Sequence, residues 1–204
     1  MLRYAAGMAG TRKDVRARLL RAALDLFSER GFDATTAADI AARADVTERT
    51  YFRHFPDKRE ALFDGEDELR QKFASAVAQV QVGGAPMAIL LAAFRSLIPA
   101  LASDRDLKRR RQVVIAAAPE LRERELTKEH HLAAAVARAL QERGVREPVA
   151  SLAALSGIAA LSRVRLEWLR EGGDYAARLT EAFADLESAF APWNNWSRSS
   201  PGPM

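Results

Sequence analysis

The chain has 204 residues, no cysteine and a formal net charge of +4, and its composition is 49% hydrophobic and 28% charged. This composition predicts a globular protein with a real core, and the missing thiols exclude disulfides and fit a reducing, cytoplasmic compartment. No run approaches the ~18 apolar residues of a membrane span, so we expect no membrane partner. Residues 1–60 hold 12 basic and 9 acidic side chains, a mild excess that favours a nucleic-acid partner.

The first predicted element is an amphipathic helix that runs from residue 11 to Arg30 and ends at Gly31. Its apolar positions recur at helical spacing and form one buried stripe: Val15, Leu19, Ala23, Leu26 and Phe27. Three basic residues near its start, Arg12, Lys13 and Arg16, either lie on a solvated face or contact a DNA backbone. The sequence leaves both interpretations open.

Residues 35–54 predict two short helices joined by a tight turn. Thr36 is placed to cap the first helix, with Asp39 at the reciprocal position of a capping box. Thr47 is placed to cap the second helix, which has barely two turns. Together they predict a helix-turn-helix.

The second of these helices has two chemically different faces at about 100° per residue. Tyr51 and Phe55 fall together and are predicted to point inward. The opposite, outward face carries Arg49, Thr50, Phe52 and Arg53. Arginine bonds both acceptors of guanine and threonine reaches base edges or phosphate, so this face suits the major groove of DNA.

These residues carry a family resemblance: the stretch resembles the DNA-binding signature of TetR-type (tetracycline repressor-like) regulators. The signature T-x-x-D-I-A-x-x-A-x-V-[ST]-x-x-T-x-[YF]-x-[HY]-F-x-x-K-x-x-L is matched at Thr36, Asp39, Ile40, Ala41, Ala44, Val46, Thr47, Thr50, Phe52, His54, Phe55, Lys58 and Leu62. The resemblance implies an all-α chain with a DNA-binding domain over residues 11–57. A helical ligand-binding and dimerisation domain is expected over residues 58–193, with a disordered tail from 194 to 204.

The DNA contacts expected at this site are made by Thr36, Thr47, Arg49, Thr50, Phe52, Arg53, His54 and Lys58. In the family, the lysine at the position of Lys58 meets a phosphate from a helix N-terminus that begins near Pro56. The sequence departs from the family at Asp45, where glycine is common, and a left-handed conformation is predicted there. It also departs at Phe52, where the usual tyrosine donates to a phosphate; phenylalanine has only van der Waals contact to offer.

The rest of the chain reads as further helices. One long helix is predicted from about Leu62 to Val82, and others over residues 86–101, 104–117, 119–143, 147–171 and 174–190. The run Lys108–Arg111 fits a solvated face better than a DNA patch, because a helix cannot place four consecutive cations on one side.

The apolar content of residues 86–170 is either plain helical core or, as the resemblance implies, the lining of a pocket for an apolar small-molecule effector. Its candidate lining residues are Phe94, Gln112, His131 and Ser162. In the family the last two helices build a two-fold dimer interface, for which the candidates are Leu155, Leu166, Phe183 and Phe190. Trp168 and Trp193 either anchor that interface or cover the ends of the core.

Catalytic and metal sites are not expected. Adjacent helical residues diverge by about 100°, so His130 and His131 do not chelate one metal well. No G-x-S-x-G elbow or glycine-rich phosphate loop is present, so we expect neither an enzyme nor a cofactor.

The sequence therefore predicts a repressor that binds palindromic operator DNA as a homodimer and is released when an effector tilts the long helix. The alternatives are a regulator without an effector, and an all-α enzyme or interaction module.

Overall fold

The computed structural model describes residues 12–81 and 83–199, with side chains described to residue 189 except at residue 13. These residues form helices and turns without a strand, which confirms the all-α prediction. The helices are α1 (Arg12–Arg30), α2 (Ala37–Arg43), α3 (Glu48–His54), α4 (Glu66–Gln79), α5 (Pro86–Ser96), α6 (Ile98–Leu101), α7 (Arg105–Ala117), α8 (Pro119–Glu142), α9 (Glu147–Glu171) and α10 (Tyr175–Ser199). One 3₁₀ turn, Glu60–Phe63, precedes α4.

The chain divides into two compact units. The first comprises the described residues up to Gly65 together with Arg110–Arg124, and the second comprises Glu66–Arg109 and the residues from Glu125 onward. Helices α7 and α8 therefore each contribute residues to both units. The sequence predicts that the first domain ends at residue 57, whereas the first unit extends to Gly65 and also includes Arg110–Arg124.

The first unit is built on α1, whose buried face includes the predicted Leu19, Ala23, Leu26 and Phe27. Gly31 ends this helix with a φ of 85°, in the left-handed region that glycine enters without a Cβ penalty. The ring of Phe32 then packs on Phe27 at 5.3 Å between centroids. Helix α2 and the Glu60–Phe63 turn pack against α1, and α3 packs against α2.

The predicted long helix from Leu62 to Val82 is wrong. Asp57 caps a helical start as expected, because its Oδ1 accepts from the N–H groups of Arg59 and Glu60 at 2.8 and 3.2 Å. That start continues only as the 3₁₀ turn, and Gly65 has a φ of 82°, which an α-helix cannot accommodate. Helix α4 begins anew at Glu66, so no single rigid helix leaves this region.

The second unit is centred on the packing of α5 against α4, α9 and α10. Phe94 on α5 lies between the rings of Phe73 and Phe183, at 5.2 and 6.0 Å between centroids. Gly157 on α9 allows a close approach, because a Cβ there would lie only 2.9 Å from Leu90 Cδ1. The middle of this unit is therefore filled by side chains.

Helix α9 is, among the described residues, long and apolar enough to span a membrane by length and composition, with a hydropathy of 1.4 over its best window. Its buried residues pack in the core of the second unit, and a buried core helix passes the same test. The finding is weak evidence for a span.

The last helix is longer than predicted. Helix α10 continues to Ser199, so the tail expected from residue 194 is helical over its first part. Residues 200–204 lie outside the described residues, as do the side chains of Phe190 and Trp193.

The cationic run on α7 is exposed at Arg109 and Arg110, as a solvated face predicts, and only half-exposed at Lys108 and Arg111. Lys108 Nζ donates to the carbonyls of Ala100 and Leu101 at 2.9 and 2.8 Å, and its burial lowers its pKa. Arg110 pairs with Asp25 at 2.6 Å. These cations hold neighbouring segments in place, which charge patterning alone does not reveal.

Candidate nucleic-acid interface

Helix α2 begins with the predicted capping box. Thr36 Oγ1 accepts the N–H of Asp39 at 3.1 Å, and Asp39 Oδ2 accepts the N–H of Thr36 at 2.9 Å. The Thr36 hydroxyl also donates to Asp39 Oδ2, at 2.7 Å, and the backbone and hydroxyl bonds that this carboxylate accepts from Thr36 are the main cause of its lowered pKa. A carboxylate is thereby kept in the first turn, where the helix dipole favours it. Ile40 and Ala41 are buried, as predicted.

The turn between α2 and α3 has a left-handed residue, as predicted. Asp45 has a φ of 53°, and its N–H donates to Ala42 O at 3.1 Å. The following N–H, of Val46, donates to Ala41 O at 3.0 Å. The turn is therefore closed by backbone hydrogen bonds that require a positive φ at a residue with a Cβ.

Replacing Asp45 by glycine is expected to be neutral or to raise the free energy of unfolding by up to ~1 kcal/mol, because glycine adopts this conformation without strain. The measurement is the denaturant midpoint at unchanged m-value. Ala42→Gly, in the helical backbone of α2, is the control and is expected to cost about 1 kcal/mol. A lower midpoint for Asp45→Gly would show that the aspartate stabilises the turn through its side chain.

Helix α3 presents the two faces that the sequence predicts. Thr47 Oγ1 caps it by accepting the N–H of Thr50 at 3.1 Å. Tyr51 and Phe55 are 0% and 2% exposed, and the Tyr51 hydroxyl donates to the carbonyl of Asp57 at 2.9 Å. The opposite face is exposed at Arg49, Phe52 and Arg53. The aromatic anchors thus fix which side of this short helix meets solvent.

His54 is half-buried at the end of α3, and its Nδ1 is buried with no hydrogen-bond partner among the described residues. Burial lowers the pKa of this histidine, and the nearby Arg16, Arg53 and Arg12 lower it further. The lowered pKa favours the neutral imidazole. It offers a phosphate a hydrogen bond and not a fixed positive charge.

Lys58 is engaged inside the fold. Its Nζ donates to the carbonyls of Phe32 and Thr35 at 2.7 and 3.1 Å, with a longer contact of 3.4 Å to Asp33 O. It also lies 4.1 Å from the centroid of the Phe32 ring. The three donors of the ammonium are directed at the connection between α1 and α2. The expected phosphate contact thus competes with a structural tether that the sequence does not show.

Replacing Lys58 by methionine keeps the side-chain stem and removes these bonds. We expect the free energy of unfolding to fall by about 1.5–3 kcal/mol, as for hydrogen bonds to a charged group. The salt dependence of duplex binding is expected to keep its slope, whereas the control Arg53→Met lowers it by about one unit. If Lys58→Met instead leaves the stability unchanged and flattens the salt dependence, Lys58 contacts a phosphate, as the sequence predicts.

Comparison with known proteins identifies the helix-turn-helix. Residues 19–64 match the model for "Bacterial regulatory proteins, tetR family". The chain is 34% identical over 83 residues to the HTH-type transcriptional regulator TcmR of Streptomyces glaucescens, covering 41% of this chain and 37% of TcmR. It is 46% identical over 61 residues to the HTH-type transcriptional repressor Rv3405c of Mycobacterium tuberculosis, covering 30% and 32%. These matches span about a third of the length of the curated relatives.

A solved structure extends the likeness beyond that region. The Thermus thermophilus FadR, a repressor crystallised with lauroyl-CoA, is 26% identical, covers 93% of this chain and 99% of its own, and has a TM-score of 0.57. Residues 19–64 therefore carry a DNA-binding region of the tetR type. The resemblance read from Thr36 to Leu62 is confirmed.

A cluster of side chains around Phe63 is a further feature of the first unit. Two guanidinium groups lie over the Phe63 ring, that of Arg111 at 4.9 Å and that of Arg124 at 4.7 Å from its centroid. Arg124 also binds both carboxylate oxygens of Glu60, at 2.7 and 3.0 Å. All four side chains belong to the first unit. Both arginines are about 50 or more residues from the Glu60–Phe63 turn, so no local sequence pattern relates them to it.

The four residues predicted to line a ligand pocket are divided between the two units. Phe94 is fully buried among aromatic rings, and Gln112 belongs to the first unit. In the second unit, His131 Nδ1 lies 3.1 Å from Glu66 Oε1, while Ser162 donates to Glu129 at 2.6 Å. Phe94 is thus a core residue, which favours the plain-core interpretation at that position. Among the described residues, no group of three side chains is placed to hold a metal ion.

The candidates for a dimer interface are divided between the surface and the core. Leu155 and Leu166 are 50% and 40% exposed on α9, on the same side as Leu152. Phe183, which the sequence places at or next to the interface, instead packs on Phe94 inside the second unit at 2% exposure. Trp168 is likewise buried, with its ring 5.4 Å from that of Tyr175. Among the candidates whose side chains are described, the exposed ones therefore lie on α9.

Proposed function

We propose that this protein is a transcriptional regulator, and specifically a repressor, that reads duplex DNA with α3 in the major groove. The observation that carries the proposal is the outward face of α3, where Arg49 and Arg53 are exposed while Tyr51 and Phe55 are locked inside. A short helix with exposed arginines on a rigid support is what recognition of guanine in the major groove requires. The protein acts by binding rather than catalysis, in the cytoplasm.

The proposed assembly is a homodimer that pairs α9 of one subunit with α9 of the other. Leu152, Leu155 and Leu166 recur at helical spacing on the exposed side of this helix. Exposed leucines at helical spacing on an otherwise packed bundle mark an interaction surface. A two-fold dimer gives the two copies of α3 the symmetry of a palindrome with two half-sites.

An apolar or amphipathic effector is proposed to release the DNA. FadR, which shares the fold over nearly its whole length, was crystallised with lauroyl-CoA. The second unit of this chain has an open groove of about 490 Å³ between α4 and α8, lined by four alanines and by polar and charged side chains. It is lined by Asp67, Arg70, Gln71, Ala74, His131, Ala134, Ala135, Arg138, Ala139 and Glu142. Of the predicted lining residues, His131 is at this groove.

The proposed route of the signal runs through α7 and α8 and replaces the single tilting helix that the sequence suggested. Both helices contribute residues to each unit, and Arg111 on α7 and Arg124 on α8 both contact the Phe63 ring. A ligand that shifts either helix would displace the Glu60–Phe63 turn, which contacts α1. Release then needs only a few kcal/mol of differential ligand affinity.

A regulator without a small-molecule effector is the second candidate. It is favoured by the filled core, since Phe73, Phe94 and Phe183 occupy the middle of the second unit. In that case the second unit serves dimerisation alone. A panel of acyl-CoA and aromatic ligands separates the two candidates, because an effector raises the unfolding temperature and lowers DNA affinity together.

The proposal is tested by duplex binding at several salt concentrations. We expect specific binding whose affinity falls steeply with salt, and Arg49→Ala is expected to lose ~1–3 kcal/mol on a specific duplex. The same variant is expected to lose far less on random duplex. Equal losses on both duplexes would show that Arg49 does not read a base. If the wild-type chain binds no duplex, the proposed function is wrong.

A further inference from the structure

Phe52 is the one large apolar side chain that α3 leaves exposed among the described residues, at 51%. It shares the outward face with Arg49 and Arg53, both exposed. Its ring meets that of Tyr51 edge to face, with centroids 5.6 Å apart and an interplanar angle of 86°. Tyr51 is itself fixed by its hydrogen bond to the carbonyl of Asp57. The Phe52 ring is therefore presented to solvent from a rigid support.

The chemistry of this ring restricts what it can recognise. Phenylalanine has no hydroxyl, so it donates no hydrogen bond to a phosphate or a base. The base edges in the major groove carry donors and acceptors at every base pair, and one apolar group, the 5-methyl of thymine. Burying a methyl against an exposed aromatic ring removes apolar surface of both partners from water.

We propose that Phe52 reads the 5-methyl group of a thymine in each half-site. The proposal rests on the proposed function, because it needs α3 in the major groove. It assigns Phe52 a specificity that neither arginine supplies, since both guanidinium groups select hydrogen-bond acceptors. The competing role is a contact with deoxyribose, which would hold the protein on DNA without regard to the base.

The experiment first selects the most enriched duplex from a randomised pool with the wild-type chain. Each thymine of that duplex is then replaced, one at a time, by deoxyuridine, which keeps the base pair and lacks only the methyl. At one thymine in each half-site, wild-type affinity is expected to fall about fourfold, the loss for one buried methyl-sized group. The same duplexes are measured with Phe52→Ala, Phe52→Leu and Arg53→Ala.

The variants separate methyl reading from other contacts by a double-mutant cycle. Phe52→Ala is expected to bind thymine and deoxyuridine duplexes equally, whereas Phe52→Leu retains part of the discrimination. Arg53→Ala is expected to bind more weakly and still to discriminate about fourfold. Thermal unfolding of each variant near that of the wild type shows that the fold is intact.

The proposal is overturned if deoxyuridine is tolerated at every thymine, if the selected half-sites hold no thymine, or if Phe52→Ala still discriminates. If Phe52→Ala binds both the thymine and the deoxyuridine duplex more weakly than the wild type, by the same factor, its ring contacts the sugar and not the methyl group. Failure to enrich any duplex would overturn DNA binding itself, and so is distinguishable from a failure of methyl reading.

Discussion

Replacing Leu155 and Leu166 together by aspartate is expected to convert a dimer into a monomer and to weaken binding to a full palindrome at least ~100-fold. Both side chains are exposed on α9 in a single subunit, so the change leaves the core of the subunit intact. In the dimer it would bury unpaired carboxylates at the seam, which is strongly unfavourable. Binding to an isolated half-site is expected to persist at its weak level, because each α3 is unchanged.

The measurement is sedimentation at micromolar concentration, followed by binding to full and half palindromes. The control is Val113→Asp with Leu126→Asp, which changes two apolar side chains away from α9 that are 64% and 66% exposed, against 50% and 40% for Leu155 and Leu166. We expect this control to remain a dimer. A monomeric wild type, or a Leu155 and Leu166 variant that stays dimeric, would remove α9 from the interface.

Replacing Phe94 by alanine is expected to lower the free energy of unfolding of the second unit by about 3–5 kcal/mol. The side chain is 0% exposed and contacts two further rings, so its removal leaves a cavity that the helices fill only partly. The expected loss is a large share of the 5–15 kcal/mol of stability typical of a domain.

Chemical denaturation followed by far-ultraviolet circular dichroism measures this loss. Phe52→Ala is the control, because it removes the same ring from a surface position and is expected to cost less than about 0.5 kcal/mol. If Phe94→Ala were as mild as the control, Phe94 would border a space already open to ligand. Phe94 would then line a ligand pocket, as the sequence predicts.

The helix-turn-helix could be predicted from sequence because its determinants are local. The capping box of Thr36 and Asp39 involves residues three apart, and the faces of α3 follow from helical periodicity over seven residues. The positive φ of Asp45 followed from one turn position that commonly holds glycine. In each case a side chain or backbone bond within one or two helical turns decides the conformation.

The errors concern contacts between distant parts of the chain. Lys58 binds carbonyls 23 to 26 residues away, and Arg124 binds Glu60 across 64 residues. No periodicity or spacing relates such pairs, so the sequence predicts only solvent or DNA as the partner of these basic residues. The sequence predicts a helix through Gly65 because the apolar residues before and after it keep helical spacing, although the helix is interrupted there.

The placement of Phe183 shows a related ambiguity. An apolar stripe on a helix predicts burial, but it does not distinguish the core of one subunit from the seam between two. The structure divides the stripes by exposure: Phe183 on α10 faces the core, and Leu155 on α9 remains at the surface. Only the positions of neighbouring helices supply that distinction.

The central claim is that two copies of α3 read a symmetric DNA site, and one selection experiment tests it most directly. Wild-type protein is used to enrich duplexes from a randomised pool, and the enriched sequences are determined. We predict an inverted repeat whose half-site centres lie one helical turn, or a multiple of it, apart on the duplex. No enriched sequence, or a single asymmetric site bound by a monomer, would contradict the account.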